Sequence, residues 1–263
     1  MNPAYQNLRS EIRSVVVIGF VGLLVFSECY AASVDYSVKE SGKLIVQTAN
    51  ITANKVFVKG AGGSPDSDVL FDADRDVLFI VDHRKRSYLQ IDNNTINKVA
   101  ELSKAVSDIF PSENNALSEA LRNLGVVSAP RPIATTIDTK TVLKISGSPC
   151  SLYRSYHAGD LVSEICMAQE SSLNLSPEDF RSLRSFWVFG VQLLVRADSL
   201  LSVLGVQLPR MEFEDTGGLP IALYTAKDNC HVRFMRIKQS GESSNFFEIP
   251  NNYARARIPF ISD

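Results

Sequence analysis

The chain has few cysteines, little excess charge and no hydrophobic run longer than about twelve residues. Four cysteines in 263 residues are too few for a disulfide-dense scaffold, so the fold must be stabilised mainly by apolar burial. The 27 basic side chains are balanced by 29 acidic ones, and a net charge of −2 argues against a nucleic acid as partner. With 45% hydrophobic and 21% charged residues, the composition is that of an ordinary globular protein. Any basic contact must be local.

The N-terminal segment has the parts of a secretory signal peptide. Arg9 and Arg13 make the start positive, residues 15–26 (VVVIGFVGLLVF) form an apolar run, and small residues follow around Ala31. As a helix this run spans about 18 Å, whereas the hydrocarbon core of a bilayer is about 30 Å thick, so a permanent anchor is the weaker interpretation. Lipidation of Cys29 is disfavoured because Glu28 precedes it.

We therefore predict a signal peptide over residues 1–31, cleaved after Ala31 or, as the second choice, after Ser33. The remaining residues, 32–263, are predicted to form one exported, soluble domain, because no linker or repeat divides them.

Short β-type segments separated by turn residues dominate both ends of the predicted domain. The first group, within residues 34–91, predicts an antiparallel meander, with strands at 43–47, 55–59, 69–72, 77–82 and 87–91. Helical spacing follows at 96–109 and 117–124. A long, half-buried strand is predicted at 133–145, with Ile133, Ile137, Leu143 and Ile145 on its apolar face. Further strands are predicted at 150–156, 160–168, 220–225 and 231–238, and a last run at 246–249 continues to the end at 253–260. Together these make about eleven strands and three helices in an α+β fold.

A hairpin around residues 157–159 (HAG) brings two cysteines together. Counting back from a three-residue loop sets Cys150 directly opposite Cys166, within reach of a disulfide. We predict this bridge because the chain is exported. Reduced cysteines are the alternative; a zinc site including Cys230 and His231 lacks the usual CxxC spacing.

The longest helix is predicted at residues 177–204. Ser176 is a good N-cap, Pro177 suits the first helical position, and acidic residues follow at the positive helix end. Its apolar stripe covers more than half of the circumference, which suits a helix lying in a concave sheet. Ordinary core burial is the simpler alternative for any one of these residues.

Catalytic and metal-binding signatures are absent from the sequence. GxSxG and HExxH do not occur, and His83, His157 and His231 are scattered. Residues 72–76 (DADRD) resemble the start of a calcium loop, but Val77 occupies the position that requires glycine. We predict a protein that is not an enzyme and has no metal and no cofactor.

Four residue strings in the predicted domain are informative as a set: residues 77–91 (VLFIVDHRKRSYLQI), the run from Ile145 through Cys150 to Tyr153, 218–221 (GLPI) and 247–250 (FEIP). Together they resemble a bacterial exported family of unknown function, domain of unknown function 4412, and this resemblance implies a periplasmic location. The order of elements is similar to the LolA/LolB-like lipoprotein carriers, and this resemblance implies an antiparallel, curved β half-barrel wrapped around helices. The carriers bind acyl chains inside the half-barrel.

The leading functional hypothesis is that a lipid or lipoprotein acyl chain binds between the curved sheet and the long helix. Phe186, Trp187 and Leu194 are the predicted ligand-binding residues. The alternative is an envelope interaction or scaffold protein with a fully packed core and a protein partner. An enzyme with an unrecognised site is the third possibility, and it would need polar residues converging in a pocket.

Overall fold

The computed structural model describes residues 31–40, 42–61, 64–109, 135–203, 216–226, 230–240 and 247–256. They form one curved, open sheet of twelve strands with two α-helices. The strands are β1 (Ala31–Glu40), β2 (Lys43–Thr52), β3 (Lys55–Val58), β4 (Ser67–Asp72), β5 (Val77–Asp82), β6 (Ser87–Ile91), β7 (Thr135–Ile145), β8 (Ser148–His157), β9 (Asp160–Ala168), β10 (Leu219–Thr225), β11 (Cys230–Ser240) and β12 (Ala254–Arg255). The helices are α1 (Asn93–Ile109) and α2 (Pro177–Val203), and Glu170–Ser172 forms a 3₁₀ turn.

The sheet consists of two antiparallel meanders joined by the first strand. Its order is β12-β6-β5-β4-β3-β2-β1-β11-β10-β9-β8-β7. β1 lies in the middle, where it pairs with β2 on one side and with β11 on the other. β12 pairs in parallel with β6 and covers that edge. The predicted first meander is confirmed, but the strand count is twelve, and β1 was not predicted as a strand.

The second meander bends back on itself. The Ser146 hydroxyl, in the turn between β7 and β8, donates a hydrogen bond of 2.8 Å to the carbonyl of Phe234 in β11. Two strands, β9 and β10, separate β11 from β8 in the sheet order. Such a contact requires strong curvature, which turns one face of the sheet into a concave surface.

Helix α2 lies on this concave surface, as predicted, and ends at Val203. The Asp179 amide donates to the Ser176 hydroxyl over 3.0 Å, which confirms the predicted N-cap. Phe71 of β4 contacts Phe186 and Phe189 of the helix, with ring centroids 5.7 and 5.3 Å apart. These aromatic contacts fix the distance between helix and sheet.

The outer face of the first meander is covered by the C-terminal strap, residues 247–256. Phe247 packs against Phe57, Leu70 and Phe79 on this face. Further along, the strap passes His83, whose Nδ1 lies 2.8 Å from the hydroxyl of Tyr253, and then forms β12. The predicted strand at 246–249 is therefore wrong for residues 247–249, which pack through side chains; residues 257–260 lie outside the described residues.

The Cys150–Cys166 disulfide is confirmed, but the register predicted for its hairpin is wrong. Leu152, not Cys150, is paired with Cys166, and the two bonded cysteines are diagonal neighbours with Cα atoms 5.4 Å apart. The register differs because Ala158 and Gly159 both adopt positive φ angles and make a two-residue turn, followed by a bulge next to Tyr156.

The predicted half-buried face of β7 is also wrong. Ile137 and Leu143 are 48% and 38% exposed, because β7 is the edge strand and packs little of its surface. A bulge with Lys140 at φ 56° interrupts the strand and shifts its alternation. Ile145 does pack against the core. Ile133 and the predicted helix at 117–124 lie outside the described residues.

Candidate functional site

A cavity of about 420 Å³ lies between α2 and the concave face of the sheet. This volume is within the range of about 300–1,000 Å³ that is typical of small-molecule sites. The cavity is far larger than the voids of a close-packed core. The residues that line it are Tyr36, Val38, Gln47, Ala49, Val58, Ala61, Val69, Leu183, Phe186, Trp187, Gly190, Val191, Leu194, Leu219, Pro220, Ala222, Leu223 and Val232.

The helix side of the cavity follows from the periodicity of α2. Leu183, Phe186, Gly190 and Leu194 recur at intervals of three or four residues, so they share one face. From Leu183 to Leu194 this face is about 16 Å long. Gly190 lies near its middle, and a Cβ added there would have no atom within 4 Å. A glycine at this position leaves room that any other residue would partly fill.

The sheet side comes from both meanders and from β1 between them. Tyr36 and Val38 of β1 lie beside Val232 of β11 and Ala49 of β2. β1 and β2 present alternate residues to the cavity, Tyr36 and Val38 from one and Gln47 and Ala49 from the other, as the pleat requires. No single stretch of sequence therefore forms the wall.

None of the lining side chains carries a charge. The polar groups among them are the Tyr36 phenol, the Gln47 amide and the Trp187 indole. Gln47 donates from Nε2 to the Gly60 carbonyl over 2.9 Å, so its amide nitrogen is already paired. Burial raises the pKa of Tyr36 well above its usual value of 10, and the phenol is neutral at physiological pH. This lining suits an apolar chain and offers nothing to balance an ionised group.

The three residues predicted to bind a ligand all lie at the cavity. Phe186, Trp187 and Leu194 are part of its lining, and their role as ligand contacts stays a prediction. Sequence reasoning missed the sheet wall. The sequence signal for this wall would be an alternation of apolar and polar residues along each strand. This alternation is weak, because adjacent residues such as Val56 and Phe57 in β3 are both apolar and buried and do not show which face is concave.

His83 is one of the three histidines scattered in the sequence, and in the structure it has two close partners. Its Nε2 lies 2.7 Å from Oδ2 of the buried Asp68, and its Nδ1 lies 2.8 Å from the Tyr253 hydroxyl. The Gly60 amide donates to the other Asp68 oxygen over 3.0 Å. None of His83, Asp68 and Tyr253 lines the cavity, and their contacts connect the C-terminal strap to the turn after β5 and to β4.

Metal chemistry finds no ready site in the described part of the chain. There, no group of three or more His, Cys, Asp and Glu side chains is placed to hold an ion. Cys150 and Cys166 are joined to each other, so neither is a thiolate ligand. In the same residues, no helix is both long and apolar enough to cross a bilayer.

Comparison with known proteins gives no family. No family model matches the chain, and no curated protein does either. Among solved structures, PNGF-II is similar over 86% of this chain and 30% of its own, at 8% identity and a TM-score of 0.40. An uncharacterised conserved protein from Thermus thermophilus is similar over 88% of this chain and 91% of its own, at 5% identity and a TM-score of 0.40. A LolA superfamily protein from Nitrosomonas europaea is similar over 84% of this chain and 90% of its own, at 6% identity and a TM-score of 0.27.

Proposed function

We propose that the protein is a non-enzymatic binder of a single apolar chain, such as a lipid or lipoprotein acyl chain, in the cavity under α2. The observation that carries this proposal is a cavity of about 420 Å³ whose lining side chains are all uncharged. A scaffold protein with a packed core would have a solid interior, so the cavity counts against that alternative. An enzyme would need a nucleophile, an acid or a base at the cavity, and the polar lining side chains are limited to a neutral phenol, an amide and an indole.

The uncharged lining also limits the kind of ligand. An apolar tail gains about 0.8 kcal/mol for each methylene group that it buries, whereas an ionised headgroup would lose its hydration without a partner. We therefore expect the tail to lie inside the cavity and a charged headgroup to stay at its mouth.

The test is to measure affinity along a series of saturated fatty acids from about eight to about eighteen carbons, by displacement of a fluorescent fatty acid. Affinity should rise about fourfold per added methylene until the cavity is full and should then level off. Absence of binding along the whole series, or binding without any dependence on chain length, would refute the proposal.

A matched pair of variants locates the binding site. Leu194→Gln places a polar amide at the cavity wall and should weaken binding about tenfold or more. Val195→Gln makes a similar change at the next residue, which is 59% exposed and does not line the cavity, and it should have little effect. Equal effects of the two substitutions would place the ligand elsewhere.

We also propose that the chain is exported to the periplasm and cleaved after Ala31. A disulfide between Cys150 and Cys166 supports an oxidising compartment. Cleavage after Ala31 removes only the terminal residue of β1, whereas cleavage after Ser33 would also remove the buried Ala32 and Ser33, which supports the first site. The mass of the protein isolated from the periplasm tests this: a chain beginning at Ala32 is expected, and an intact N-terminus would contradict it.

A further inference from the structure

The sheet surface opposite the cavity is strongly basic where β2, β1 and β11 lie side by side. Cross-strand pairing arranges it in four rows, because directly paired residues point to the same side. The basic face, as we name it, consists of the rows Leu44–Lys39–His231, Val46–Ser37–Arg233, Thr48–Asp35–Arg236 and Asn50–Ser33–Lys238. A bulge in β11 between Phe234 and Arg236 keeps its residues in phase with β1.

Charge on the basic face departs from the balance of the whole chain. It carries the four cations Lys39, Arg233, Arg236 and Lys238 against one carboxylate, Asp35, which is a local charge of +3 in a chain of net charge −2. Lys39 and Arg233 are exposed. The side chains of Arg236 and Lys238 are 62% and 47% exposed, although each also contacts Asp35.

Asp35 fixes two of the four cations of the basic face, Arg236 and Lys238, in position. Its carboxylate is buried and accepts hydrogen bonds from Arg236 and Thr48, both at 2.7 Å, with the Lys238 ammonium at 3.0 Å. Burial alone would raise the pKa of Asp35, but the hydrogen bonds from Arg236, Thr48 and Lys238 together outweigh it and bring the pKa to about 2. One carboxylate thus holds two cations at the surface and neutralises only one of them.

Large aliphatic side chains lie among these charges. Leu44 and Val46 are 68% and 53% exposed on the basic face, and Ile45 between them is 41% exposed on the cavity side, next to Val38 in the lining. The outer face of the neighbouring meander is covered by the C-terminal strap through Phe247. In the described residues no equivalent segment packs on the basic face, which leaves its aliphatic side chains exposed to solvent.

We propose that the basic face docks on an anionic lipid bilayer. Cations next to exposed aliphatic side chains match a membrane surface, since the cations meet lipid phosphates and the aliphatic groups enter the interfacial region. A purely polyanionic partner would use the cations and leave Leu44 and Val46 without a role. The hairpin of β1 and β2, which carries Leu44 and Val46, also contributes Val38 to the cavity lining. Docking of this hairpin would therefore bring the cavity close to the lipids.

The test is sedimentation with vesicles of phosphatidylcholine alone or with about 30% phosphatidylglycerol. Binding to the anionic vesicles is expected at low salt, with loss at high salt and on neutral vesicles. Lys39→Gln combined with Arg233→Gln should lower the partition coefficient about 30-fold, since each cation near a charged bilayer contributes about 1 kcal/mol. Arg75→Gln combined with Lys85→Gln changes net charge equally in two turns away from this face and should have little effect.

A second matched set tests the aliphatic contribution. Leu44→Ser with Val46→Ser should weaken vesicle binding at least tenfold. Val142→Ser with Val195→Ser removes side chains that are 68% and 59% exposed elsewhere, and it should not weaken binding. The proposal is overturned if wild type ignores anionic vesicles at low salt, or if the test and control pairs behave alike. The proposal is also overturned if the protein does not bind vesicles but binds an acidic protein partner through the four residues changed in the test variants, Lys39, Arg233, Leu44 and Val46.

This docking does not depend on occupation of the cavity. Gly190→Leu should reduce fatty acid binding and leave vesicle binding unchanged, because position 190 is on the other side of the sheet. If the wild-type protein binds fatty acids but not anionic vesicles, docking alone is refuted. If it binds the vesicles but not fatty acids, only the proposed function is refuted.

Discussion

Replacing Gly190 by a larger apolar residue should fill part of the cavity, which should stabilise the protein and weaken its binding of fatty acids. Gly190 lies in the interior of α2 and lines the cavity, and an added Cβ meets nothing within 4 Å. Replacement of glycine by alanine in a helix interior gains about 0.8–1 kcal/mol from propensity alone. Leucine has nearly the same propensity and in addition buries apolar surface, which is worth up to about 2 kcal/mol here.

The free energy of unfolding should therefore rise by about 1 kcal/mol in Gly190→Ala and by about 2–3 kcal/mol in Gly190→Leu. For a domain of this size the second value corresponds to a rise in Tm of about 5–10 °C. Urea unfolding of lipid-free protein measures the stability, and fatty acid displacement measures the binding. Alanine should leave most of the affinity intact, whereas leucine should lower it at least tenfold.

Two results would contradict this reasoning. Destabilisation of Gly190→Leu relative to Gly190→Ala by more than about 1 kcal/mol would mean that the space is not available to a side chain. Unchanged fatty acid affinity in a stabilised Gly190→Leu protein would mean that the ligand does not use the cavity.

Four further predictions concern stability. Replacing Cys150 and Cys166 by alanine should lower the free energy of unfolding by about 3 kcal/mol, measured with urea, because the bridge closes a loop with a sequence separation of 16; an equal stability of both proteins would contradict this. Asp35→Asn should lower the free energy of unfolding by about 2 kcal/mol at neutral pH. The difference from wild type should disappear as the pH falls from about 4 to about 2, because the Asp35 carboxylate stabilises the fold fully only above its ordinary pKa of 3.8 and is protonated in the folded protein below about 2. A pH-independent difference would argue against this. Ser176→Ala removes the cap of α2 and should cost about 1 kcal/mol by the same urea assay, against little change for Ser185→Ala on the polar side of the helix. Tyr253→Phe should speed hydrogen exchange of the strap amides next to β6, and unchanged exchange would show that packing alone holds the strap.

Local signals in the sequence predicted α1, α2 and most of the strands that the structure describes. The cap at Ser176 needs only a hydroxyl at the right distance from the first helical turn, and α2 follows as expected. The hairpin between β8 and β9 was located correctly, but its register depended on whether the turn has two or three residues. The positive φ of Ala158, 48°, makes the turn two residues long. A positive φ is uncommon for alanine, so the sequence gives no sign of it.

The burial of β7 and the sheet side of the cavity depend on which strands are neighbours in the fold, and the sequence pattern does not predict this. Leu143 and Ile137 look like a buried face, and they are exposed because β7 is at the edge of the sheet. The helix wall of the candidate site could be inferred from one amphipathic segment. The sheet wall could not, because Val38 and Val232 come together only through the pairing of β1 with β11, strands that lie far apart in the sequence.

The central position of β1 has a consequence for the time at which the protein can fold. β1 begins at residue 31, but its partner β11 begins at residue 230, and the strap that closes the other edge comes later still. A chain emerging from its N-terminus can form only the first meander, which has an open edge along β1 until β11 arrives. Contacts of such sequence separation slow folding, since loop closure must precede them. The proposed export would benefit from this order, because the sheet cannot be completed until nearly all of the polypeptide is available.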